Sequence, residues 1–140
     1  MTQQKILTAI DGSEYSSLIL DSAIEQARLL DGQIILVHCH RKFSVIESHA
    51  YREEEMAQLI NEAEKLVDPY LQRIRDAGIP AESRIMEEPA AGAISDIARI
   101  EKCDLIVMGS RGLTNLAGLI IGSVTNRVLQ TAPCSVLVVR

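Results

Sequence analysis

At 140 residues, 47% hydrophobic and 24% charged, the chain is long enough for one domain with a sizeable core and too short for two. A formal net charge of −5 argues against nucleic acid or an anionic membrane surface as a partner held by bulk electrostatics. Cys39, Cys103 and Cys134 form no Cys-x-x-Cys pair, no apolar stretch approaches membrane-spanning length, and Met1-Thr2-Gln3-Gln4 leads directly into a strand pattern, so a reduced, cytoplasmic protein without disulfides, structural zinc or membrane insertion is expected.

Short β-type runs alternate with helical patterns along the chain, the mark of a parallel sheet wrapped by helices. The first strand is predicted over Lys5 to Ile10 and leads into Asp11-Gly12-Ser13. A helix follows over Ser16 to Leu30, with Ile19, Ala23, Ala27 and Leu30 on one stripe and Asp31-Gly32 as its stop. The second strand spans Gln33 to His38, and Arg41 to Ser48 reads as a mobile loop. A long helical region covers about Tyr51 to Ala77 and ends at Gly78; Pro69 inside it predicts a kink or break near Asp68. Then come a strand over Ala81 to Met86, a helix over Ala90 to Glu101, a strand over Leu105 to Met108, a helix over Ser123 to Gln130 stopped before Pro133, and a strand over Ser135 to Val139. Several strands are near-continuous apolar runs, as strands covered on both faces should be.

The most informative stretch begins where Leu105-Ile106-Val107-Met108 ends: Gly109-Ser110-Arg111-Gly112, nine residues, then Gly122-Ser123. Glycine lets backbone N–H groups approach an anion with no Cβ in the way. Ser123 opens a helical pattern whose first N–H groups are unpaired donors, so the stretch reads as a phosphate cradle. It is not a Walker A loop, because Gly122 is followed by Ser123 and Val124 where that motif has Lys and then Ser or Thr. Nor is it a dinucleotide fingerprint, since its glycines are too widely spaced and it follows a late strand. Ser110 lacks the Gly-x-Ser-x-Gly elbow of a hydrolase nucleophile, and no His follows it.

Gly-x-x-Gly, nine residues, Gly, then Ser is the signature of the ATP-binding branch of the universal stress protein family, which the chain resembles from Lys5-Ile6-Leu7 to Val138-Val139. The resemblance implies an open five-stranded parallel sheet in the order 3-2-1-4-5, Rossmann-like, of the adenine nucleotide alpha hydrolase-like type. It implies ATP, ADP or AMP, with Mg²⁺, at the switch point between strands 1 and 4. Ligands of open α/β sheets bind beyond the carboxyl ends of the strands at such a crevice. By this resemblance Met108, Gly109, Ser110, Arg111, Gly112, Gly122, Ser123, Val124 and Thr125 hold the phosphates, with Arg111 and Arg127 adding charge nearby. Ala9 and Cys39 contact the nucleoside through their backbones. Thr114 and Asn115 can also donate to phosphate, although polar loop residues need no ligand to explain them.

Asp11 stands where the family carries an acidic residue near the ribose, the phosphates or their Mg²⁺; Asp-Gly-Ser is equally a turn and helix cap. His38-Cys39-His40 invites a metal reading, but no third or fourth ligand has a supporting spacing. Glu53-Glu54-Glu55 reads as a solvated helix face. Met86-Glu87-Glu88-Pro89 departs from the family, which often has a glycine after strand 3, and puts the local backbone path in question. The expected function is a nucleotide-dependent regulatory protein of the stress response. A slow Mg²⁺-dependent ATPase or phosphoryl-transfer enzyme, and a partner-binding module without nucleotide, are the alternatives. The family also implies a homodimer through Ser135 to Val139, against a monomer whose edge is covered or protected by Arg140.

Overall fold

The structure is a computed structural model and describes residues 3–42, 49–110 and 121–140. Its elements run β1 (Lys5–Ala9), α1 (Ser16–Leu30), β2 (Gln33–His40), α2 (His49–Asp76), β3 (Ala81–Glu87), α3 (Ala90–Ile100), β4 (Leu105–Gly109), α4 (Ser123–Thr131) and β5 (Ser135–Val139). The five strands form one parallel sheet in the order β3-β2-β1-β4-β5, as expected. No helix among the described residues is long and apolar enough to cross a membrane.

Alternation along the strands divides the core in two. Ile6 of β1, Ile34 and Leu36 of β2 and Val107 of β4 face Ile19, Leu20, Ala23 and Ile24 of α1 and Val67, Leu71 and Ile74 of α2. Leu7, Ile35, Val37, Ile106 and Met108 project to the opposite face, against Ile94, Ile97 and Ala98 of α3 and Val128 of α4. Helices on both faces are what a parallel sheet requires, because its crossovers must return over one face or the other.

Most predicted boundaries move by one or two residues, and the predicted break near Asp68 is overturned. β1 ends at Ala9 rather than Ile10, while β2 and β4 run on to His40 and Gly109. At the site of the predicted break, α2 continues unbroken through Pro69 for 28 residues. An interior proline costs roughly 3 kcal/mol. Val67, Leu71 and Ile74 are each buried on the helix face that straddles it, and full burial of such side chains is worth about 1.5–3 kcal/mol apiece. Packing therefore outweighs the local penalty, and Pro69 itself lies on the exposed side. Of the predicted loop at 41–48, residues 43–48 lie outside the described residues.

One central side chain works against stability. Thr8 shares the face of Ile6 in β1, is wholly buried, and has a hydroxyl with no hydrogen-bond partner among the described residues. An unsatisfied buried donor of this kind costs about 1–3 kcal/mol. Thr8→Val keeps the shape and removes the hydroxyl, so it should raise the unfolding free energy by about 1 kcal/mol in urea denaturation. A loss of stability would show that the hydroxyl is bonded after all.

Candidate functional site

The carboxyl ends of β1 and β4 diverge into connections on opposite faces, and a cleft of about 360 Å³ opens there. Its size falls in the usual range for small-molecule sites, about 300–1,000 Å³. Ala9, Ile10 and Asp11 supply one wall; Met108, Gly109 and Ser110, with Gly122 to Thr125, supply the other. Val37 and Cys39 of β2 form the floor, and Glu88, Ala90 and Ile94 close the far side. Of the residues singled out from sequence, Ala9, Asp11, Cys39, Met108, Gly109, Ser110, Gly122, Ser123, Val124 and Thr125 therefore meet around one opening. Arg111, Gly112, Thr114 and Asn115 lie outside the described residues.

The end of the cleft between β4 and α4 is fixed by three short bonds. Ser110 N–H donates to Val139 C=O (2.8 Å), and Gly122 N–H donates back to Ser110 C=O (2.7 Å). The buried Thr125 hydroxyl donates to Gly109 C=O at 2.6 Å, tying the first turn of α4 to the end of β4. That hydroxyl is thereby committed, so an anion would meet Thr125 through its backbone N–H. Gly122 is the N-cap of α4 and offers no side-chain cap. Helix geometry leaves the N–H groups of Ser123, Val124 and Thr125 without intrahelical acceptors, and the helix dipole makes this end attractive to negative charge. Gly122 has φ −69°, so any residue could adopt its backbone; what it provides is room, since a Cβ there would lie 3.2 Å from Ser110 C=O.

Across the cleft, Asp11 organises its own turn. Its Oδ1 accepts from Ser13 N–H at 2.9 Å and from the Ser16 hydroxyl at 3.4 Å, while Gly12 N–H donates to that same Ser16 oxygen at 3.1 Å. The turn reading of Asp-Gly-Ser is thus realised, in a residue that also borders the cleft. Gly12 sits at φ +81°, a conformation that favours glycine, under the side chain of Leu66 from α2.

Cys39 lies on the cleft face of β2, whereas His38 faces the α1 and α2 layer and its Nδ1 donates to Ile10 C=O at 3.0 Å. The two do not converge, and among the described residues no three His, Cys, Asp or Glu side chains are placed to hold a metal ion. Burial, reinforced by the Glu88 carboxylate, pushes the Cys39 thiol up to about 11. It is protonated at neutral pH and presents a small apolar surface to the cleft. Glu55, in the predicted solvated face, pairs with Arg41 at 3.1 Å.

Sequence reasoning missed Ile10, Val37, Ala90, Ile94 and Glu88 as cleft residues. The first four look like ordinary core positions. Glu88 had a visible signal, its place between a strand and Pro89, but only the pairing of β3 with β2 brings it beside Cys39.

The sequence matches the family model of the universal stress protein family over residues 3–140. Universal stress protein YxiE of Bacillus subtilis is 30% identical over 145 residues, covering 97% of this chain and 98% of that protein. Universal stress protein UspA from Lactobacillus plantarum has the same fold, with a TM-score of 0.84, 21% identity and full coverage of both chains. The universal stress protein from Archaeoglobus fulgidus, solved in complex with dAMP, superposes with a TM-score of 0.74 at 22% identity, again over 100% of both chains.

Proposed function

The chain belongs to the universal stress protein family, and we propose that it is a cytoplasmic regulator that binds an adenine nucleotide, ATP with Mg²⁺, in the cleft between β1 and β4. The observation that carries this reading is the N-terminus of α4, without a side-chain cap among the described residues, opening onto that cleft beside Gly109, Ser110 and Gly122. In a chain with net charge −5, an anionic ligand needs such local donors. The dAMP complex of the Archaeoglobus relative supports the choice of an adenine nucleotide.

In this reading Met108 and Gly109 allow close approach at the end of β4, and the phosphates meet the backbone N–H groups of Ser123, Val124 and Thr125 beside Ser110 and Gly122. Arg111, Gly112, Thr114 and Asn115 contribute from the same loop. Ala9 and Cys39 flank the nucleoside. Asp11 meets the ribose or the nucleotide's Mg²⁺. A single protein carboxylate suits Mg²⁺, which keeps several waters and takes its remaining ligands from the phosphates. A cradle of backbone donors holds ground state and transition state almost equally, and uniform binding does not accelerate chemistry. Binding and conformational signalling therefore fit the cleft better than rapid hydrolysis.

Denaturing freshly purified protein should release adenine nucleotide in near one-to-one amount, and ATP with Mg²⁺ should raise the melting temperature of nucleotide-free chain. No released nucleotide and no thermal shift together would sink the reading. Diphosphate accumulating over many turnovers, after removal of contaminating ATPases, would replace it with the ATPase.

The same proposal includes a twofold dimer through β5. β5 lies at the sheet edge, and Val136, Leu137, Val138 and Val139 are only half-buried. The bond from Ser110 N–H to Val139 C=O fixes the alternation: Val139 and Leu137 turn their backbone groups toward β4, and those of Val136 and Val138 point outward. Val138→Pro should leave the folded chain intact and convert the dimer to monomer, whereas Leu137→Pro should damage the sheet itself. Sedimentation equilibrium at tens of micromolar decides; an unmodified chain that is monomeric with and without ATP would rule the dimer out.

A further inference from the structure

We propose that Glu88 sets which base the cleft accepts, favouring a ring edge that carries an amino group over one that carries a carbonyl; the inference rests on the nucleotide-binding reading above. The cleft has two ends of opposite electrostatic character. At one end the positive terminus of α4 presents backbone donors. Glu88 stands at the other, on the connection that leaves β3 for α3. In the order β3-β2-β1-β4-β5, three strand spacings of about 4.8 Å separate the ends of β3 and β4. A nucleotide can occupy this cleft in one sense only. Its phosphates must lie toward α4, because the reverse would set them against the Glu88 carboxylate. The base then lies over Cys39 and is walled by Ala90, Ile94 and Glu88.

The position of Glu88 is built rather than incidental. Its backbone N–H donates to His40 C=O at 2.9 Å, which anchors the residue to the end of β2 directly beyond Cys39. Its carboxylate is close enough to disfavour the Cys39 thiolate. Among the described residues, no hydrogen bond or ion pair engages that carboxylate. An ionised carboxylate accepts hydrogen bonds and donates none. Facing the exocyclic amine of adenine it gains a charge-assisted bond. Against hypoxanthine it meets a carbonyl acceptor at that same position, and the one donor on that edge, N1–H, lies one ring atom away, so the bond is kept only if the base shifts. A neutral donor bonded to a charged group makes one of the stronger hydrogen bonds, and the solvent exposure of Glu88 places the effect at the low end of that class.

Titration calorimetry of the full chain with ATP and with inosine triphosphate, which differ at the base edge where a carbonyl replaces the amine, tests this. The unaltered chain should bind inosine triphosphate about tenfold more weakly, a factor that corresponds to about 1.4 kcal/mol. Glu88→Gln should bring the two affinities close to equality, because an amide can donate to the carbonyl as well as accept from the amine. Glu88→Ala should also erase the preference, through weaker ATP binding; thermal melts of both variants confirm the fold. Equal affinities in the unaltered chain, or a preference that survives both substitutions, would overturn the role of Glu88 while the nucleotide site stands. Failure of the unaltered chain to bind either nucleotide would overturn the site and this inference together.

Discussion

Gly122→Val should abolish the thermal stabilisation by ATP with Mg²⁺ while leaving the chain folded. At a nucleotide concentration of 100 times Kd, binding contributes about 2.7 kcal/mol to the folded state, enough to move the melting temperature by several degrees. The glycine has ordinary extended geometry, φ −69° and ψ 163°, so valine is not excluded by the backbone. The need for a positive φ, the second reason glycine could have been required here, is absent. Crowding remains: the Cβ would lie 3.2 Å from Ser110 C=O, the group to which Gly122 N–H donates. The two γ carbons of valine would then stand at the mouth of the cleft, before the donors of Ser123 and Val124. Gly122→Ala, with one carbon at the same place, should weaken binding less. Differential scanning calorimetry with and without nucleotide reads both, and a folded Gly122→Val protein with an undiminished shift would remove the phosphate assignment from this loop.

Gly12→Ala should destabilise the chain by about 1–3 kcal/mol, for two separable reasons. At φ +81° a Cβ carries a local steric penalty of roughly 1–2 kcal/mol. The new carbon would also lie 2.7 Å from Leu66 Cδ1, so the leucine must shift. Leu66 packs against the buried cluster between the sheet and α1 and α2, where moving it has a cost of its own. A double-mutant cycle with Leu66→Ala separates the terms, because it relieves the contact and leaves the backbone strain. Urea denaturation should therefore show less than additive loss for the pair. A Gly12→Ala change within about 0.5 kcal/mol of zero would mean that the turn relaxes freely. Because Asp11 is held through Ser13 and Ser16 of that turn, the same substitution should also weaken nucleotide binding.

What could be read from sequence was whatever depends on near neighbours. The strands announced themselves through apolar runs such as Leu105 to Met108, and the order of the sheet followed from family resemblance rather than from any residue pattern. Gly122 and Ser123 were legible because the glycine directly precedes a helical pattern. Asp11 showed both of its possible roles and gave no means of choosing, since capping and ligand contact use the same carboxylate. Pro69 misled because its penalty is local, while the burial of Val67, Leu71 and Ile74 that offsets it is tertiary. The place of Glu88 in the cleft and the committed hydroxyl of Thr125 could not be read for the same reason. Their partners, His40 and Gly109, are 48 and 16 positions away in the chain.

The bond between Gly122 N–H and Ser110 C=O pinches the chain shut at the base of the segment that joins β4 to α4. Whatever is spliced between those two residues joins the fold at a closed neck. Closing a flexible loop costs only about 0.6 kcal/mol more for each doubling of its length. Evolution or an engineer can therefore change the length of that segment at small entropic cost, while the cleft residues on β1, β2 and α4 stay where they are.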